Sequence, residues 1–372
     1  MPHAREDEVP RHIRAGLRSH DAGDRGAMTR PVESGSNRAA GRTRPRRALV
    51  VLPLVLGLCA VSLTACSKES VTPATSPVAY VALGATVANP GSTVAVVNTA
   101  TAAQGRPITT GTLPSGLALV PTAKELLVVD KADNELVVVS TASGKVTHRI
   151  GVGLEPVAVA ATADGTLALV ANFGDNTVTP VHLSDFTTSA PVTVGRQPSA
   201  VAITPNGSQA LVASYQDGTL TPIALPALTA GPAVPVGGEP TAVWISSDGT
   251  TALVADFQAN AITPVVLPAL TSGPAVPIGA NPTGIAAAAG APTAWISAGQ
   301  GVTPLTVATR QPGTAISVGA PAEAVAVARD GHVWVGTADG TLVEVDPTTS
   351  KVVRKITLAG LPSAIVIAPV SG

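Results

Sequence analysis

The sequence predicts an all-β fold, namely a seven-bladed β-propeller with four antiparallel strands in each blade. A Gly-x-x-Pro motif followed by alternating apolar residues recurs along the chain with a spacing of 42 residues. Each copy also contains four short apolar segments separated by turn sequences. A fixed period of this length is typical of solenoids and propellers, and four strands per repeat indicate a propeller. Regular copies begin at Gly111, Gly153, Gly195, Gly237 and Gly279, and weaker copies begin at Gly319 and Ala359.

The copy that begins at Gly195 shows the four strands of a blade, which we label A to D from the propeller axis outwards. Strand A is "PSAVAIT", strand B "SQALVAS", strand C "TLTPIAL" and strand D "PAVPVG". No stripe of apolar residues with the period of a helix is present. Asp-Gly or Asn-Gly pairs join strands A and B, which predicts tight hairpins with positive φ at both central residues. These pairs are Asp164-Gly165, Asn206-Gly207, Asp248-Gly249 and Asp330-Gly331.

The two ends of the repeat region predict that the ring closes. The copy at Ala359 stops after its strand A, at 363–369. The residues before Gly111, from Ala79 onwards, supply strands B, C and D but no strand A. An open solenoid would instead need polar capping repeats at its ends. We therefore expect the C-terminal strand A to join the N-terminal strands B, C and D as one blade.

Prolines occupy two of the predicted strands. Proline cannot donate a ladder hydrogen bond, so it suits the outermost strand, strand D, where it also blocks pairing with other chains. Strand C should be paired on both sides, so its prolines predict a bulge or a missing bond toward strand D. The prolines of strand D are Pro232, Pro235, Pro274 and Pro277, and those of strand C are Pro180, Pro222, Pro264 and Pro304.

The N-terminal region predicts export and lipidation. Arginines at 42–47 precede an uncharged stretch at 48–64, the pattern of a secretory signal peptide, and "LTAC" ends at Cys66. "LTAC" resembles the lipobox of bacterial lipoproteins, which implies that Cys66 carries the acyl chains; an ordinary cleavage site is the alternative. We expect an extension at 1–27 before a true start at Met28, a signal peptide at 28–65, a Ser/Thr/Pro tether at 66–77 and the propeller at 78–372. The membrane is thus an expected partner, reached through Cys66 on the outer face, and the export route, general or twin-arginine, stays open.

Composition narrows the classes of function. Residues 66–372 contain 12 Lys and Arg against 18 Asp and Glu, a net charge of −6, which argues against nucleic-acid binding. Cys66 is the single cysteine after cleavage, so neither a disulfide nor a thiol nucleophile is expected. His148, His182 and His332 fall on different blades, so we predict no metal site, no catalytic residues and no cofactor. We expect a monomer.

One constellation predicts a ligand or partner face. In each blade, the D–A and B–C connections lie at the same end, and polar side chains precede the motif proline in four successive copies. The B–C loops of three copies open with an aromatic residue, and exposed aromatics beside polar groups make a binding surface. Packing between blades is the alternative role for these aromatics. The candidate residues are Glu155, Gln197, Glu239 and Asn281, with Arg196, Phe173, Tyr215 and Phe257.

The segment "GLEPVAVAATADGTLALVANFGDNTVTPV" at 153–181 resembles the repeat of the YVTN family of seven-bladed propellers. "LVAN" stands where that family has "YVTN", although "VTPVHL" replaces the family's "VSVID" strand. The resemblance covers residues 79–372 and implies an extracytoplasmic propeller. Two functions are open: a lipid-anchored module that binds an unknown protein or cell-envelope ligand, or a hydrolase analogous to seven-bladed lactonases. In the second, Glu155 or Glu239 would act as general base.

Overall fold

The computed structural model describes residues 77–85 and 91–368, and their regular secondary structure is entirely β-strand. Seven antiparallel sheets form the blades, which confirms the predicted fold class. Blade 1 contains β1 Val78–Gly84, β2 Thr93–Asn98, β3 Ile108–Thr109 and the last strand, β32 Leu361–Ala368. Blade 2 contains β4 Pro114–Val120, β5 Glu125–Asp130, β6 Glu135–Ser140 and β7 Lys145–Gly151.

In blades 3 to 6, strand D is divided into two segments of two residues. Blade 3 contains β8 Pro156–Ala161, β9 Leu167–Asn172, β10 Thr177–His182, β11 Thr187–Thr188 and β12 Val192–Thr193. Blade 4 contains β13 Pro198–Ile203, β14 Gln209–Ser214, β15 Thr219–Ala224, β16 Thr229–Ala230 and β17 Val234–Pro235. Blade 5 contains β18 Pro240–Ile245, β19 Thr251–Asp256, β20 Ala261–Val266, β21 Thr271–Ser272 and β22 Val276–Pro277. Blade 6 contains β23 Gly284–Ala286, β24 Thr293–Ala298, β25 Gly301–Thr306, β26 Gln311–Pro312 and β27 Ile316–Ser317. Blade 7, whose strand D is a single segment, contains β28 Ala322–Val327, β29 Val333–Thr337, β30 Thr341–Asp346 and β31 Lys351–Thr357.

The two ends of the chain close the ring, as the sequence predicts. Strand β32 pairs antiparallel with β1 from Val78 opposite Ala368 to Gly84 opposite Leu361. This pairing supplies strand A of blade 1, so β1 is paired on both sides instead of presenting a free edge.

A polar cluster adds a second link across the closing seam. Arg354 of β31 donates to the carbonyl oxygens of Thr99 and Ala100, beyond β2 of blade 1, at 2.9 and 3.1 Å. The same guanidinium binds the buried carboxylate of Glu344, whose other oxygen lies 2.7 Å from Nδ1 of His332. A buried carboxylate is costly once a hydrogen-bond partner is removed, so Glu344, Arg354 and His332 act as one unit.

The strand C prolines coincide with the breaks in strand D. Opposite Pro222, β16 pairs with residues 223–224 and β17 pairs with 219–220, so the pairing is missing between them. The carbonyl of Pro222 still accepts a hydrogen bond from the Gly231 amide at 2.8 Å, but proline offers no donor in return. The predicted missing bond toward strand D is therefore confirmed. In blades 2 and 7, whose strand C has no proline, strand D runs unbroken for seven residues.

The A–B turns differ from the expectation in their backbone. Only the glycine of each pair has positive φ, for example 74° at Gly165, and the preceding Asp or Asn does not. The side chain of Asp164 instead accepts hydrogen bonds from the hydroxyl groups of Thr162 and Thr166 and from the Thr166 amide. These local bonds stabilise a longer turn in which the aspartate keeps an ordinary backbone conformation.

Adjacent blades are joined near the axis by hydroxyl groups. In β4, β13 and β18, a β-bulge follows the motif proline, and such a bulge re-aims the side chain at that position. In five blades the residue after the motif proline is a serine or threonine, whose hydroxyl donates to a carbonyl at or just before the start of the next blade's strand A. The pairs are Ser115–Pro156, Ser199–Pro240, Thr241–Pro282, Thr283–Ala322 and Ser363–Pro114, at 2.6–3.0 Å.

The propeller has two faces. The motif face carries the D–A connections and B–C loops, and the entry face carries the A–B turns and C–D connections. The described chain begins on the entry face, where the carbonyl of Pro77 accepts hydrogen bonds from the amide and hydroxyl groups of Thr99 at 3.0 and 3.1 Å.

The predicted extension, the signal peptide, Cys66 and the tether before Pro77 lie outside the described residues. Among the residues that the structure does describe, none forms a helix long and apolar enough to cross a membrane.

Ring closure gives a direct test. A chain that ends at Gly360 lacks β32, which uncovers the buried residues Tyr80 and Ala82 of β1 and removes the hydroxyl bond from Ser363 to Pro114 of blade 2. We expect this truncation to lose the cooperative thermal unfolding transition, measured by circular dichroism. The matched control ends at Ala368, keeps β32 and should unfold like the full chain. Equal melting curves for the two truncations would contradict the structural role of the seam.

Candidate binding face

The structure places the four polar candidates at one end of the propeller, each immediately before the motif proline. Glu155, Gln197 and Asn281 have positive φ of 50–55°, a conformation that must be held by surrounding bonds. Their amides donate to the side chains of Asn134, Asn176 and Asn260, each in the B–C loop of the preceding blade, at 2.7–2.8 Å. These bonds tie neighbouring blades together at the motif face.

The expectation that Phe173, Tyr215 and Phe257 are exposed is wrong. Their exposed fractions are 3, 6 and 6%. The amide of each donates to the carbonyl of the residue before the motif proline in its own blade, at 2.8–3.0 Å, and this bond turns the loop inward. Phe173 and Tyr215 pack with Val157 in one apolar cluster. The aromatics therefore fill the joints between blades.

Tyr215 also connects two blades through its phenol. The hydroxyl donates to Oε2 of Glu239, the residue before the proline of the next blade, at 2.7 Å. Burial, and then the hydrogen bond to Glu239, raise the pKa of the Tyr215 phenol. Tyr215 thus remains a neutral donor, and Glu239 is held as an acceptor.

Lys131 belongs to the same set, although it is not among the residues predicted for this face. It stands 42 residues before Phe173, at the equivalent loop position, and is only 3% exposed. Its Nζ lies 3.8 Å from Oε2 of Glu155 and 5.3 Å from the centre of the Phe173 ring. Burial lowers the pKa of the Lys131 ammonium to about 8, and Glu155 partly opposes this shift. The 42-residue register was the signal that could have found it.

Arg196 is an exposed cation of the motif face. Its Nε lies 2.6 Å from Oδ1 of Asp217, and the side chain is 60% exposed. Such a pair contributes little stability because water screens it. The guanidinium is therefore accessible to a ligand from solution.

The glycine of the motif is required by close packing. A Cβ at Gly153 would lie 2.6 Å from both the side-chain amide of Asn172 and Oδ2 of Asp175, which real side chains do not tolerate. The end of strand B and the B–C loop thus pack directly on the motif backbone. Asp130, Asn172, Ser214 and Asp256 occupy this position at the end of strand B, and all are buried.

These four residues differ in the hydrogen bonds that their side chains make. Asp256 accepts the amides of Gly238 and Ala259 at 2.8 and 3.0 Å, so both of its oxygens are bonded. Within the described residues, Asp130 accepts a hydrogen bond from the hydroxyl of Thr110 alone, through Oδ1 at 3.0 Å. Burial raises the pKa of its carboxyl group to about 7.

No group of three or more His, Cys, Asp or Glu side chains able to hold a metal occurs within 77–85 and 91–368. A central channel of about 200 Å³ is lined by the strands A of all seven blades, with small residues such as Gly116, Ala200 and Gly284 beside aliphatic ones. Among the described residues that line the channel, Glu323 has a carboxylate side chain. It occupies the position that Ser199 has in blade 4, and it is not among the predicted candidates.

No family model matches the sequence, and no curated protein sequence matches it either. Solved structures do match in fold. A functionally unknown protein from Desulfotomaculum acetoxidans is similar with a TM-score of 0.69 and 16% identity, over 78% of this chain and 98% of the other. Hydrazine synthase of Kuenenia stuttgartiensis matches with a TM-score of 0.61 and 15% identity, over 73 and 91% of the two chains. At such identities the similarity shows the seven-bladed propeller fold alone.

The packing of the motif glycine predicts a graded mutational response. We expect Gly153→Ala to lower the free energy of unfolding by about 1–3 kcal/mol because the new methyl group overlaps Asn172 and Asp175. Gly151→Ala is the matched control, since a Cβ there meets no atom within 4 Å. Chemical denaturation of the two variants measures the difference. Equal stability of both would show that the loops relax without cost.

The raised pKa of Asp130 predicts a pH dependence of stability. Below its ordinary pKa of about 4 the carboxyl group is protonated in both folded and unfolded chains, and above the folded pKa of about 7 the ionised form is penalised. Stability of the wild type should therefore fall by up to about 4 kcal/mol across this window, relative to Asp130→Asn. Unfolding curves at several pH values in the presence of a chelator measure this, and parallel pH profiles would contradict it.

Proposed function

We propose that the protein is a lipid-anchored binding module outside the cytoplasm, which presents its motif face to a protein or cell-envelope ligand. The observation that supports this proposal is the position of Pro77, where the described chain begins. It is bonded to Thr99 on the entry face, so a tether that starts at a lipidated Cys66 would approach the propeller from that side. The motif face would then point away from the membrane.

The side chains of the motif face favour a polar, cationic ligand. Exposed aspartates stand in the B–C loops of four blades, and partly buried carboxylates precede the motif prolines of blades 3 and 5. Arg196 and the exposed Leu154, at 54%, add a cation and an apolar contact. Complementary charge guides association and sets specificity more than affinity. The exposed aspartates are Asp133, Asp175, Asp217 and Asp339.

The hydrolase alternative gains no support from the positions of its carboxylates. Glu239 accepts the Tyr215 hydroxyl and Glu155 lies beside Lys131, so both side chains take part in contacts between blades. These contacts fit a structural function for the two residues.

Photo-crosslinking in intact cells tests the proposal. A crosslinking amino acid replaces Leu154 on the motif face or Val266 on the entry face, two apolar residues with exposed fractions of 54 and 41%. We expect a discrete adduct from position 154 and none from position 266. In a Cys66→Ala background the protein should leave the membrane fraction. Cys59, the other cysteine of the sequence, lies within the uncharged stretch at 48–64, and Cys59→Ala should keep the protein in the membrane fraction.

The outcomes separate the parts of the proposal. An adduct from position 266 alone would contradict presentation of the motif face. Membrane retention of the Cys66→Ala variant would contradict lipid anchoring, whatever the crosslinks show.

A further inference from the structure

We propose that Asp130 and Asp133 of blade 2 form a binding site for a calcium-sized divalent cation at the motif face. Asp130 is fully buried, and within the described residues its Oδ2 has no hydrogen-bond partner. An ionised oxygen in this position requires a counter-charge, because burying an unpaired charge is costly.

A second carboxylate shares the same small space. The point that a Cβ of Gly111 would occupy lies 2.5 Å from Oδ2 of Asp130 and 2.5 Å from Oδ2 of Asp133. The two oxygens are therefore no farther apart than twice that distance. Calcium binds carboxylate oxygens at about 2.3–2.6 Å, so one ion beyond Gly111 can contact both.

The nearby polar groups leave Asp130 Oδ2 to such an ion. Thr110 donates to the other oxygen, Oδ1. Asp133 Oδ2 already accepts the Thr112 amide at 2.6 Å. The guanidinium of Arg149 is directed to Glu135, at 3.0 Å, and to the Thr110 carbonyl, so it does not bond Asp130.

The equivalent positions in other blades serve as internal comparisons. Blade 3 has Asn172 with Asp175, and blade 4 has Ser214 with Asp217, so each has one carboxylate where blade 2 has two. Blade 5 has Asp256, but both of its oxygens accept amides. Blade 2 thus differs from these three in pairing two carboxylates, one of them lacking a donor.

The ligand set predicts a weak, partly hydrated site. Two carboxylates supply the charge, Asp133 is exposed, and the remaining oxygens would come from water or main-chain carbonyls. Extracellular calcium modules of this kind have dissociation constants on the order of a millimolar. The ion would fasten the D–A connection to the B–C loop of blade 2.

Thermal unfolding and calorimetric titration of the purified full chain with calcium chloride test the site. After treatment with chelator, we expect about 10 mM calcium to raise the melting temperature by about 2 °C, and calorimetry to show one site. Asp130→Asn should abolish both effects. This variant reproduces the asparagine of blade 3, so it should fold.

A pair of glycine variants separates loss of the site from loss of stability. Gly111→Ala fills the space between the carboxylates, whereas Gly153→Ala introduces the same kind of overlap in blade 3. We expect calcium binding to disappear in the first and persist in the second. The proposal is overturned if the wild type shows no calcium response, or if Asp130→Asn and Gly111→Ala respond as the wild type does.

Discussion

The antiparallel pairing of β1 with β32 is the constraint on which the rest of the molecule depends. Every blade buries its faces against two neighbours, and the apolar clusters lie between adjacent blades. An open ring would leave two such faces in water, at a cost of about 25 cal/mol for each Å² of apolar surface. The pairing joins residues nearly 300 positions apart, and Arg354 and Ser363 add bonds across the same seam.

Within the closed ring, the motif proline and the motif glycine have different structural functions. The proline is followed by a bulge that aims a hydroxyl at the next blade, and the glycine allows the B–C loop to lie directly on the D–A connection. Both functions concern the contact between adjacent blades. A motif that recurs because it serves the joints between blades is evidence of architecture, and function must be sought where one copy departs from the others.

Two residues of blade 2 depart from the residues that blades 3 and 4 have at the same positions. Lys131 replaces the aromatic residue that the following three copies have, and it faces Glu155 and Phe173. Beside it, Asp130 takes a position that is neutral in blades 3 and 4. Burial moves the pKa values of Asp130 and Lys131 toward neutrality, in opposite directions from their ordinary values. This part of the motif face therefore has two buried titratable groups whose pKa values lie near neutrality.

The sequence by itself determined the number of blades, the four strands of each, the closure by a C-terminal strand and the interruption of strand D opposite Pro222. These features follow from period-two alternation, a fixed spacing and the missing donor of proline, all of which act along the chain. Only the tertiary structure decided that Phe173, Tyr215 and Phe257 are buried, that Lys131 joins them, and that Asp164 keeps negative φ in its turn. Burial of a loop residue depends on how closely the next blade approaches, and the covering atoms come from residues far away in the sequence.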